Sequence, residues 1–147
     1  MGRILAIDYG LKRLGLALSD ENRILASALP TLQAGKNTAE TAELILAIAK
    51  KHQATEIILG RPLHLSGRTS FLTDEVTHFM TVLSEKTTLP IHLWDERLTS
   101  AEAERTLKLG GVNRKKRAQF TDALAAVILL QSYLDALSFR SSQDPTD

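Results

Sequence analysis

Hydrophobic positions recur along this chain in two rhythms, one of period two and one near 3.6. Residues 3–8, "RILAID", are short, branched and apolar on both faces, which predicts a buried strand closed by Asp8. Residues 14–19 set Leu14, Leu16 and Leu18 against Gly15, Ala17 and Ser19, the alternation of a half-buried strand. "DEN" at 20–22 reads as a turn, and a third strand is expected over 23–29, ended by Pro30. Three strands on short turns form an antiparallel meander. The rhythm then lengthens. Ala42, Ile45, Leu46 and Ala49 recur at helical spacing between Thr38 and His52, with Glu40, Glu43, Lys50 and Lys51 opposite.

"TEIILG" at 55–60 is another short buried strand. A second helix is expected over roughly 70–86, with Leu72, Val76, Phe79 and Leu83 on one face, and "IHLW" at 91–94 is a fifth strand. Thr99-x-x-Glu102 is a capping-box pattern opening a helix to about Lys108, which Gly110 and Gly111 stop. "NRKKR" is expected in a loop, and a long apolar helix over about Gln119 to Leu137. Residues 1–138 read as one domain and the polar residues 139–147 as a disordered tail.

Helices between strands one, four and five imply parallel crossovers, so the carboxyl ends of these strands share one edge if strand one is their neighbour. Ligands in open α/β sheets gather at that edge. Asp8, Gly60, Asp95 and Glu96 all fall there.

A length of 147 residues suits a single domain with a real core. The net charge of +1 conceals an uneven distribution: Arg105, Lys108, Arg114, Lys115, Lys116 and Arg117 stand together with no acid among them, a patch suited to phosphates. The absence of cysteine excludes disulfides, thiolate zinc sites and thiol catalysis. The first apolar run is too short for a signal peptide or membrane span, so a cytoplasmic protein with no membrane partner is expected.

Carboxylates converging at a sheet edge repel one another unless a cation sits among them. A hard cation such as Mg²⁺ takes one or two of them together with waters and substrate phosphate. Asp8 is the first candidate ligand and Glu96 the second. Asp95 is its rival, because neighbours in a strand face opposite ways. Asp122 is the third: eight apolar residues follow it, and Ala125 and Ala126, one turn on, allow close approach to a sheet. Taken singly, each has an ordinary alternative. Asp8 suits a turn, Asp122 suits a helix dipole, and Asp95-Glu96-Arg97 suits a surface ion pair. Lys12 and Arg13 also suit a hairpin tip, and "GRPLHLSGRTS", with Arg61 and Arg68, is either a phosphate loop or a plain connection.

Four motifs in order, "AIDYGLKRLGLALSD", "ILGRPLHLSG", "DERLTSAEAERTL" and "DALAAVILLQSYLD", resemble the YqgF or RuvX family of ribonuclease H-like pre-16S rRNA nucleases, also described as Holliday-junction-resolvase-like. The resemblance implies a ribonuclease H-like α/β fold. Its mixed five-stranded sheet would have three antiparallel strands plus two parallel, flanked by helices. It further implies an Mg²⁺- or Mn²⁺-dependent endonuclease site on Asp8, Glu96 and Asp122, with Asp95 the weaker candidate. Lys12, Arg13, Arg61, Arg68, Arg97, Arg114, Lys115, Lys116 and Arg117 are the expected nucleic-acid contacts. The expected partners are pre-rRNA, with branched DNA as the rival substrate, and ribosomal precursor particles, met by a monomer or weak homodimer. The middle loop departs from the family pattern G-L-P-L-N-M-D-G at Arg61, His64, Leu65 and Ser66. A binding module with a vestigial site is a second class of function. An actin-like ATPase is a third, opposed by the lack of length for a second lobe.

Overall fold

In a computed structural model the described residues are 2–61, 67–95 and 114–143. Their elements run β1 (Arg3–Asp8), β2 (Arg13–Ser19), β3 (Ala26–Gln33), α1 (Thr38–Lys51), β4 (Ala54–Arg61), α2 (Gly67–Lys86), β5 (Ile91–Asp95) and α3 (Arg114–Gln143). The sheet order is β3-β2-β1-β4-β5. Antiparallel ladders join β1 to β2 and β2 to β3, while β4 runs parallel to both β1 and β5. The mixed five-stranded sheet expected from the sequence is therefore present.

Why β1 is apolar on both faces follows from the two cores. Leu5 and Ile7 pack with Ile57, Leu59, Ile45 and Phe79, on the side of α1 and α2. Ile4 and Ala6 pack with Ile58, Ala126, Leu129 and Leu130, on the side of α3. A central parallel strand covered by helices on both faces has no polar side to show. Ala126 is fully buried among these residues, in keeping with the close approach its small side chain permits.

Helix α1 starts where Asn37 caps it, its side chain accepting from the amide of Glu40 at 2.8 Å. It ends where Gln53 turns left-handed at φ 57°. Thr41, Ala42, Ile45 and Ala49 are its buried face, matching the expected stripe.

Two expectations are corrected. The third strand was expected to end before Pro30, but β3 continues through it to Gln33. Two residues of β2, Leu14 and Leu16, span Leu32 and Leu29 of β3, so one extra residue bulges out beside Pro30. Among the described residues β3 pairs with β2 alone, and an edge strand tolerates a proline that a central one would not. The second correction concerns "NRKKR". Arg114, Lys115, Lys116 and Arg117 form the start of α3 instead of a loop. Lysine and arginine are good helix formers, and a like-charge pair one turn apart costs only about 0.2–0.5 kcal/mol. The expected helix over 99–108 lies outside the described residues. No described helix is long and apolar enough to cross a membrane.

The β2–β3 turn is held by Asp20, whose Oδ1 accepts from the amides of Leu25 at 3.0 Å and Ile24 at 2.8 Å. Those two bonds hold its carboxyl below the ordinary carboxylate range. A folded value depressed in this way stabilises the turn above the ordinary range and loses that effect as pH falls through the folded value. Hydrogen-exchange protection of the Ile24 and Leu25 amides is therefore expected to fall in that acid window, before protection of the β1 amides does. Asp20→Asn should remove the pH dependence.

Candidate active site

Three parallel strands end together. Ile7 of β1 is in register with Leu59 of β4, and Leu59 with Leu93 of β5. Asp8, one residue further, therefore stands level with Gly60 and Trp94 at the carboxyl edge. Asp8 is half-buried there, and across the ladder on β2 its partner is Gly15. Paired residues on adjacent strands face the same side, with β-carbons about 5 Å apart. Glycine thus stands at the register position on each side of Asp8.

The chain leaves β1 through a turn at residues 9–12. Gly10 is required in it, because a β-carbon there would run into the carbonyl oxygen of Arg13. Tyr9 packs its ring on Phe79 of α2, centroids 4.8 Å apart. Burial first, and the charge of Glu75 second, push its phenol above the ordinary value, so it stays neutral beside Asp8. Leu11 and Lys12 stand exposed at the tip, and Arg13 is half-buried at the start of β2.

Side chains of α3 tie that helix to the sheet. Tyr133 donates its hydroxyl to Glu56 Oε2 at 2.9 Å, and Glu56 is the register partner of Ile4 near the amino end of β1. Gln131 donates to the carbonyl of Ile24 at 2.9 Å and accepts from the amide of Ala26 at 3.0 Å, beside the same edge. Residues 131–133 are thus tied to Ile24, Ala26 and Glu56, while Ser132 and Tyr133 also reach Trp94 of β5, the indole N–H donating to Ser132 Oγ at 3.2 Å.

Other expected residues are placed by backbone alone. Asp95 closes β5 in register with Arg61, the last residue of β4, and Arg68 is in the first turn of α2. Arg114, Lys115, Lys116 and Arg117 form the first turn of α3. Glu96 and Arg97 lie outside the described residues, as do His64, Leu65 and Ser66 of the middle loop. Among the described residues no group of three metal-ligating side chains converges. Asp8 itself suits a hard divalent ion: an oxygen donor at a ligand-gathering edge, with glycine on either side.

One cluster was not singled out in the sequence. Glu56, whose side chain is 12% exposed, meets Arg23 Nη1 at 3.3 Å, Tyr133 at 2.9 Å and His92 Nε2 at 3.6 Å. Arg23 also donates to the carbonyl of Gly2 at 2.8 Å and sits in the left-handed region at φ 59°. The available signal was an acid inside an otherwise apolar strand, which must find partners when buried. This hub, at the amino edge, fixes how far α3 is advanced along the sheet.

Comparison with known proteins agrees with this architecture. The family model described as RuvX, Holliday junction resolvase, matches residues 2–136. A protein of Protochlamydia amoebophila named "Putative pre-16S rRNA nuclease" is 46% identical over 140 residues, covering 91% of this chain and 93% of its own. One of Chlamydia pneumoniae with the same name is 43% identical over 135 residues, covering 90% and 89%. Among solved structures, T. thermophilus RuvC in complex with Holliday junction substrate superposes with a TM-score of 0.57 at 14% identity, covering 92% of this chain and 96% of that one. The yeast mitochondrial Holliday junction resolvase Ydc2 does so at 0.52 and 14%, covering 97% and 84%. At such identity these two speak for the fold alone, the ribonuclease H-like arrangement that the motifs implied. The family rests on the sequence matches, which run along about nine-tenths of the chain, and by them this protein belongs to the RuvX family.

Proposed function

We propose that this protein is a metal-dependent endonuclease that hydrolyses phosphodiester bonds during 5′-end processing of pre-16S rRNA in the cytoplasm. The observation that carries the reading is Asp8: a carboxylate ending the central strand at the carboxyl edge, with glycine on both flanks. The family resemblance adds Asp122, carried by α3, as a further acid. Glu96 is preferred to Asp95 as the remaining acid because the acid of the family's D-E-R motif falls on it.

In this mechanism Asp8, Glu96 and Asp122 would hold Mg²⁺ or Mn²⁺ through their carboxylate oxygens. A divalent ion supplies activation of water and relief of charge on the phosphate and departing oxygen. The chain's own groups do the rest. Lys12 and Arg13 meet the backbone beside Asp8. Arg61, Arg68, Arg97, Arg114, Lys115, Lys116 and Arg117 steady it further along. Such contacts fix position and carry no base sequence. Water adds to phosphorus as one P–O bond breaks; the proton lost by water leaves to solvent and the departing sugar oxygen takes one up from solvent. Tyr9, kept neutral, adds no negative charge near the phosphate.

Branched DNA is the second reading, favoured by the family's description and by the two resolvases sharing the fold. The test sets purified protein against a synthetic RNA spanning the 5′ precursor segment of 16S rRNA and, in parallel, a four-way DNA junction. Each is tested with Mg²⁺, with Mn²⁺ and with EDTA. Cleavage of the RNA, lost in EDTA, is expected. Cleavage of the junction alone would exchange the first reading for the second. Metal-independent binding of both without cutting would make the protein a binding module.

A further inference from the structure

We propose that Lys36, acting with Lys12, forms a second phosphate-binding point on the β3 side of the active-site edge. It would grip the sugar-phosphate backbone of the substrate strand away from the bond being cut. This rests on the nuclease reading and names a contact within it.

The geometry starts from one main-chain hydrogen bond. The amide of Ala34 donates to the carbonyl of Lys12 at 2.9 Å, tying the β1–β2 turn to the segment that leaves β3. Lys36 follows two residues later, and both lysines are exposed. Neither ammonium has an ion-pair partner among the described residues.

The segment carrying Lys36 is fixed as well as exposed. The amide of Gly35 donates to Thr41 Oγ1 at 2.9 Å. Thr41 Oγ1 donates in turn to the carbonyl of Asn37 at 3.1 Å. A β-carbon on Gly35 would stand 2.8 Å from the side chain of Glu40, so the segment packs tightly on the first turn of α1. Glu40 is the acid on this segment and is half-buried. Opposing it on this shelf are Lys12 and Lys36, both exposed.

Register places this shelf relative to Asp8. Asp8 pairs with Gly15, whereas Arg13 pairs with Gln33, so the ends of β2 and β3 project beyond the level of Asp8. Two strand spacings, about 10 Å, separate β1 from β3. Successive phosphates on one strand of a duplex rise about 3.4 Å along the axis. Lys36 therefore meets a different phosphate from the one at Asp8. A fixed cation that grips the strand equally in the ground state and the transition state lowers KM without raising kcat.

The test is a salt titration of binding with divalent metal chelated, read by fluorescence anisotropy. Its probes are a short single-stranded RNA and a four-way DNA junction. Each phosphate contact contributes about 0.7 to the slope of log K against log salt on a single strand and about 0.9 on duplex DNA. Lys36→Gln is expected to lower the slope by about that amount on the substrate that uses this path. Lys36→Arg should keep it. Lys51→Gln, at the exposed far end of α1 near the amino edge, should leave it unchanged. In turnover assays Lys36→Gln should raise KM and leave kcat alone. An unchanged slope in Lys36→Gln, or an equal fall in Lys51→Gln, overturns the assignment while the nuclease reading stands. Wild-type protein that binds neither probe in a salt-dependent way overturns that reading, and this inference with it.

Discussion

Asp8→Asn will abolish metal-dependent cleavage and leave the fold intact. Asparagine keeps the shape of the side chain and one carbonyl oxygen but loses the negative charge that a hard divalent ion needs. Loss of groups that merely support a metal ligand costs about 10–100-fold in affinity or activity. Loss of the ligand itself should exceed the upper end of that range. Binding of nucleic acid without metal should be unchanged or slightly tighter, since a negative charge leaves the edge where phosphate docks. The same variant thus separates two properties. Anisotropy with EDTA measures the grip, and gel-based cleavage with Mg²⁺ measures the chemistry. A folded Asp8→Asn protein cutting at the wild-type rate would remove Asp8 from the mechanism.

Glu56→Ala should bring the largest loss of stability among single changes away from the apolar cores. It removes in one step the acceptor for Tyr133 at 2.9 Å and Arg23 at 3.3 Å. Arg23 is 21% exposed at its side chain, so its orphaned charge is partly relieved by water. That places the loss below the usual cost of breaking a fully buried pair, at about 2–3 kcal/mol. His92 is half exposed and adds little. For a chain of this size the midpoint of thermal unfolding should fall by about 5–10 °C. Glu56→Gln keeps an acceptor oxygen and should lose about 1 kcal/mol. Urea unfolding of both variants, with m values compared, checks the order. Equal stability of Glu56→Ala and wild type would show the hub to be ornamental.

How far the sequence could be read depends on where each signal resides. β1 was legible to its last residue, because a strand covered on both faces must be apolar at every position until it meets solvent, and Asp8 marks that point. β3 was misread because Pro30 signals a break only where its missing N–H would be needed, and nothing in the chain says that β3 is an edge. The start of α3 was misread because a run of like charges looks like a solvated loop although each residue is a good helix former. Asp8 could be singled out from its position. The direction of α3 could not, since it depends on Tyr133 meeting Glu56 across 77 residues of chain. Assigning Glu96 and Asp122 to one site came from the family resemblance, which periodicity alone does not replace.

The proline and bulge in β3 have a bearing on assembly. The rim they occupy offers an incoming strand an interrupted set of donors on a bent line, so another chain cannot zip onto it as a sixth member of the sheet. Copies of this molecule that meet at this rim must therefore do so through side chains. Crowded expression is accordingly less prone to seed strand-to-strand aggregates from this side of the molecule.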